Sequence, residues 1–127
     1  MYVTDRACEP AGPFRGPLVV SMRPIRGAEV GEAKRISARQ PLAHGAPVHA
    51  GDPADLGITD LTRPDFGEDG GLRPGEVPVF WACGVTSQIA AIGAGADLMI
   101  SHAPGHMLVT DVPMGSSSPP SDAEENP

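Results

Sequence analysis

Long apolar runs, aromatic rings, cysteines and lysines are all scarce in these 127 residues. No uninterrupted apolar stretch approaches the ~20 residues that a membrane-spanning helix needs. The opening MYVTDRACEP has no basic start followed by an apolar run, so it does not read as a secretory signal. The two cysteines, Cys8 and Cys83, build neither a disulfide framework nor a four-thiolate zinc site. The expectation is therefore a reduced, cytoplasmic chain. Only Tyr2, Phe14, Phe66, Phe80 and Trp81 are aromatic, which leaves the core to Val, Ile, Leu, Met and Ala. Lys34 is the single lysine.

Glycine and proline, by contrast, are abundant: 16 and 15 residues, so much of the chain must turn. The length suits one domain with one core. Charge is uneven. The net charge is −7, yet six of the eight arginines and Lys34 lie within residues 1–41. An acidic chain without a basic, aromatic-interleaved stripe is a poor nucleic-acid binder. A local arginine cluster suits a small anionic ligand; for Arg26, Lys34, Arg35 and Arg39 a solvated helix face is the better account of the charge.

The hydrophobic pattern predicts strands over Leu18–Met22, Ala46–Ala50, Val77–Ala82, Leu98–Ser101 and Met107–Val112, and a helix over Ala28–Arg39 stopped by Pro41. Asp52 followed by Pro53 reads as the cap of a short turn, and Thr86 as the cap of a helix running to about Ile92. Pro104-Gly105 suits a type II turn joining the last two strands as a hairpin. Residues 57–76 read as loop, and Pro113–Pro127 as a disordered acidic Ser/Pro tail. This order predicts an α/β fold: a mixed, partly parallel sheet with helix crossovers.

Reactive groups concentrate in four stretches. In SMRP, Arg23 follows a buried strand and is a candidate carboxylate clamp, because a guanidinium offers two parallel donors; an ordinary ion pair is the alternative. In HGAPVHAGD, His44 and His49 are an odd number apart, so on a regular strand they point to opposite faces. His49 with Asp52 would make a base with its orienting carboxylate, against a structural histidine beside a helix cap. In WACGVT, Cys83 lies between a buried strand and a helix start. The amides of Gly84, Val85 and Thr86 form a candidate anion cradle there, whose field favours a thiolate; a buried free cysteine is the alternative. In SHAPGH, His102 and His106 flank the turn. Their spacing is not that of a helical zinc pair, so no metal and no cofactor is expected.

The strings RGPLVVSMRPI, HGAPVHAGDPADLGITDLTRPDFGE, GEVPVFWACGVTSQ and SHAPGHMLVTDV closely resemble the bacterial D-glutamate cyclase family of hydro-lyases, over Met1 to Val112. The resemblance implies a lyase that closes D-glutamate to 5-oxo-D-proline with loss of water, acting on a small anionic amino acid, and a two-part mixed α/β body. Family members carry a whole further half before this region, so residues 1–112 resemble the C-terminal portion of that body. For such a reaction Arg23 is expected to hold one carboxylate and Gly84, Val85 and Thr86 the other. His102 and His106 are the expected acid and base. Cys83 is open between proton carrier, nucleophile and buried thiol. A homo-oligomer is compatible with the chain; a nucleic-acid or membrane partner is not expected. Three other readings stand beside this one: a truncated, non-catalytic carboxylate-binding fragment, a hydro-lyase for another carboxylated substrate, and a half-domain with no stable fold.

Overall fold

A computed structural model describes residues 1–107, 109 and 111. Four strands make one sheet: β1 Tyr2–Ala7, β2 Pro17–Arg26, β3 His49–Ala50 and β4 Glu76–Ala82. Two helices flank them in sequence, α1 Val30–Ser37 and α2 Val85–Gly93. The sheet order is β1-β2-β4-β3, and every neighbouring pair is antiparallel.

The partly parallel sheet expected from the element order is therefore corrected. The chain from β2 through α1 to β3 does behave as a crossover, because β2 and β3 run in the same direction. β4 then enters between them and separates the two parallel strands, so each hydrogen-bonded neighbour is reversed.

β2 and β4 form the spine, with registers running from Val20 opposite Ala82 to Arg26 opposite Glu76. Both contain a proline, and Pro24 lies opposite Pro78. Proline lacks the ladder donor and is unusual in a central strand. Here the Pro78 carbonyl accepts from Gly51 N–H at 3.0 Å, so the Pro78 backbone addresses β3, not β2. Its missing N–H thus falls beyond the two residues of β3 and costs no β2–β4 bond.

Side chains alternate across the sheet. Tyr2, Val20, Met22 and Phe80 face one side, where they form the core with Leu56 and Ile58, with Leu18 and Leu61 packed against it. Arg23 occupies the opposite parity, opposite Val79, together with the Ser21–Trp81 pair. Between β1 and β2 the chain closes with Cys8 N–H on the Gly16 carbonyl at 2.9 Å. β1 was not expected: its inward residues are Tyr2 and Thr4, and the Thr4 hydroxyl satisfies itself by donating to the Leu18 carbonyl at 2.7 Å.

Three further expectations are corrected. Leu98–Ser101 is not a strand; Leu98 and Ile100 are 79% and 90% exposed and have no ladder partner. Met107, Val109 and Asp111 are not strand residues either, so no hairpin forms among the described residues; Leu108, Thr110, Val112 and the predicted tail lie outside them. The turn between is as expected, with His106 N–H on the Ala103 carbonyl at 3.0 Å and Gly105 at φ +78. Thr86 is not the α2 cap. α2 opens after Gly84 without a side-chain cap, and Thr86 Oγ1 instead accepts from Val19 N–H at 2.9 Å, fastening the helix to β2. Among the described residues no helix is long and apolar enough to cross a membrane.

Candidate active site at the β4–α2 corner

The corner Ala82-Cys83-Gly84-Val85 joins the central strand directly to α2. Cys83 N–H continues the β2 ladder on the Val19 carbonyl at 2.9 Å, and the chain then turns into the helix. A helix start leaves its first amides unpaired within the helix. Two of them bond locally here: Thr86 N–H to the Cys83 carbonyl at 3.0 Å and Ser87 N–H to that of Gly84 at 3.2 Å. Of the expected cradle of Gly84, Val85 and Thr86, the Thr86 amide is thus already engaged, and the Val85 side chain is buried.

Two imidazoles approach this corner. His44 Nδ1 lies 2.7 Å from the Ala82 carbonyl. Its backbone sits in the left-handed region at φ +94, the one non-glycine there among the described residues. From the other side, Gln88 on α2 donates to the His102 carbonyl at 3.0 Å. The His102 Nε2 comes within 3.6 Å of where a side chain on Gly84 would begin. Its Nδ1 lies 3.0 Å from the Ala103 carbonyl.

Cys83 is a free, half-buried thiol whose Sγ lies 3.3 Å from the Met1 thioether. The neighbouring N-terminal ammonium donates to the Phe66 carbonyl at 2.8 Å. Burial holds that ammonium below its ordinary range; Arg23 pushes the same way, while Cys83 and Asp65 oppose. Arg23 lies inside β2, not past its end. Its guanidinium is exposed and donates to the Met22 carbonyl at 2.9 Å.

The remaining two histidines stand apart. His106 is exposed, with Nδ1 3.3 Å from the Pro104 carbonyl of its own turn. His49 is mostly buried and packs on the Phe80 ring at 5.8 Å, on the core face. The expected pairing of its ring with the Asp52 carboxylate is corrected. His49 Nε2 meets the Asp52 backbone carbonyl at 2.8 Å, and the carboxylate caps Ala54 N–H at 2.9 Å. The nearby carboxylate is that of Asp55, at 3.6 Å.

The family model described as D-glutamate cyclase matches residues 1–111. The chain belongs to the D-glutamate cyclase family. It is 64% identical over 111 residues to a Rubrobacter xylanophilus protein named "Putative hydro-lyase", a match covering 87% of this chain and 43% of that protein. A Pseudomonas syringae protein of the same name is 59% identical over 113 residues, covering 89% of this chain and 42% of its own. An Agrobacterium fabrum relative, also so named, is 57% identical over 113 residues with the same coverage, 89% and 42%. The chain thus spans less than half the length of these relatives.

Within this member of the D-glutamate cyclase family the corner offers amides, two imidazoles and a thiol, which suit proton transfer beside an anion. Among the described residues no three His, Cys, Asp or Glu side chains are grouped to hold a metal ion. A second feature was not foreseen. An open cleft of about 320 Å³ lies along β1, lined by Tyr2, Ile58, Asp60, Arg63 and Asp65 among others. Hydrogen bonds from the Thr62 side chain and backbone hold the Asp60 carboxyl below its ordinary range. The signal for this cleft was the charged string ITDLTRPD, which reads as plain loop when only its turn residues are weighed.

Proposed function

We propose that the chain takes part in closing D-glutamate to 5-oxo-D-proline, a hydro-lyase reaction, at the β4–α2 corner. The observation that carries this reading is the family match over residues 1–111. The placement of reactive groups at the corner supports it.

The substrate brings its own nucleophile, so proximity is largely built in. The site has to hold the carboxyl groups, take protons from the ammonium and deliver protons to the departing oxygen. Gly84 and Val85 amides hold one carboxyl and the oxyanion that develops on it. Arg23 holds the other carboxylate. His102 exchanges protons at the corner, and His106 is the nearest alternative in sequence. Cys83 contributes a proton carrier or a shaped wall.

D-glutamate incubated with this chain and, in parallel, with the longer Rubrobacter xylanophilus protein tests this reading by NMR of the mixture. Formation of 5-oxoproline by this chain supports it. Formation only by the longer protein confines the activity to the whole family body. Formation by neither overturns it. A second reading takes the chain, which spans 43% of that relative, as a carboxylate binder without turnover. D-glutamate would then raise the melting temperature and yield no product.

A further inference from the structure

We propose that His44 is the proton acceptor for the substrate ammonium, acting across the Cys83–Gly84 corner from His102; this rests on the D-glutamate reading above. The first argument is the tautomer. His44 Nδ1 lies 2.7 Å from the Ala82 carbonyl, which can only accept. The neutral ring therefore carries its proton on Nδ1 and its lone pair on Nε2. His102 is set the same way, with Nδ1 on the Ala103 carbonyl at 3.0 Å and Nε2 turned toward Gly84. Two imidazoles thus reach one corner, His44 at the Ala82 carbonyl and His102 at Gly84. His49 is set in the opposite sense, its Nε2 engaged by the Asp52 carbonyl at 2.8 Å and its ring against Phe80. His106 binds within its own turn.

The second argument is backbone cost. Glycine or asparagine holds φ +94 more cheaply than histidine. At this position the side chain is anchored to the strand that leads into the corner, which fixes the ring beside it.

The chemistry balances without an oxidant. The α-ammonium gives up two protons over the reaction, and a bond forms from its nitrogen to the γ-carboxyl carbon. One carbon–oxygen bond breaks, and that oxygen leaves as water carrying the two protons. His44 takes a proton from nitrogen; His102, protonated, gives one to the leaving oxygen. Nitrogen's second proton restores His102, and His44 passes its own to the leaving oxygen, so each ring ends as it began.

The test uses this chain and His44→Asn, which suits left-handed backbone and removes the base, with His44→Gly as a second variant should the first misfold. Nitrogen NMR of the labelled rings reads the tautomer at alkaline pH, before and after adding D-glutamate; conversion to 5-oxoproline reads the rate. The expected result is a ring protonated on Nδ1 whose Nε2 signal moves with D-glutamate. Both variants keep the wild-type melting temperature or exceed it, with kcat lower by on the order of 100-fold or more. Variants within about threefold of an active wild-type chain overturn the role of His44 and leave the D-glutamate reading standing. A ring protonated on Nε2, or an Nε2 signal unmoved by D-glutamate, overturns it too. Where only the longer Rubrobacter xylanophilus protein makes 5-oxoproline, the Nε2 response to D-glutamate decides the role of His44; no 5-oxoproline from either protein removes the inference together with that reading.

Discussion

Two irregular segments of this molecule, residues 57–66 and 97–107, meet opposite fates. The first is the more charged, with Asp60, Arg63 and Asp65 in ten residues. It nevertheless lies along the outer edge of β1. The Asp65 and Phe66 amides both reach the Met1 carbonyl, at 3.0 and 3.2 Å, and Val3 N–H donates to the Asp65 carboxylate at 2.8 Å. The Tyr2 hydroxyl donates to the Leu61 carbonyl at 2.6 Å, and Ile58 is buried in the core. The second segment contains Leu98-Met99-Ile100 and still exposes all three. It meets the body at His102, through the Gln88–His102 bond and the approach of that ring to Gly84. Apolar content does not decide burial; an unpaired strand edge that supplies hydrogen bonds does.

The largest expected break in this contrast is Ile58→Ala. Removing a buried isoleucine side chain costs about 2–5 kcal/mol, read as a lower urea midpoint at constant slope. A shift under about 0.5 kcal/mol would mean that the polar segment is not packed as described. Gly57→Ala comes next. The backbone there is at φ +72, and a new Cβ would lie 2.8 Å from the Asp5 side chain. A loss of about 1–2 kcal/mol follows from the left-handed backbone alone. Wild-type stability in a thermal melt would show that the segment moves freely off β1.

Tyr2→Phe removes the hydroxyl that binds the Leu61 carbonyl, for about 0.5–1.5 kcal/mol. Hydrogen exchange at Thr62 and Arg63 is the sharper readout, since it should accelerate while β4 stays protected.

The contrast also sharpens with pH. The hydrogen bonds on Asp60 favour its charged form in the fold. That contribution is present above the unfolded-chain value and is lost as pH falls through the lower folded value. The stability gap between wild type and Asp60→Asn should narrow below about pH 4; a gap that stays constant through the acid range rules it out. Last and smallest, Ile100→Ala should change stability by less than about 0.5 kcal/mol. A loss comparable to that of Ile58→Ala would show that residue 100 is buried after all.

Much of the fold was legible because its signals were local. The run Val77–Ala82 became β4, the helix expected over Ala28–Arg39 became α1, and Asp52-Pro53 became a capped turn. The errors were tertiary. Nothing local says that β4 inserts between β2 and β3, or that Leu98–Ile100 finds no partner. β1 hid behind a threonine and an aspartate because its inward polar group is satisfied by its neighbour.

At the candidate site, Cys83 and Gly84 were legible as a strand-to-helix corner. His102 reached it as one of a pair, but His106 did not follow. His44 was visible in sequence, yet its bearing on the corner depends on a left-handed residue and a carbonyl 38 positions away. Thr86 was misread because its hydroxyl serves β2 in place of its own helix.

The position of β4 also sets a schedule for synthesis. The strand that joins both halves of the sheet is the last of the four to emerge from the ribosome. At roughly 5–20 residues per second, on the order of 3–11 s separate completion of β2 at Arg26 from completion of β4 at Ala82. Throughout that interval the nascent chain presents β2 with one long edge unoccupied, a template for any extended segment nearby. A chain stalled before residue 76 would therefore be a ready seed for aggregation, and a chaperone holding β2 would matter most in those seconds.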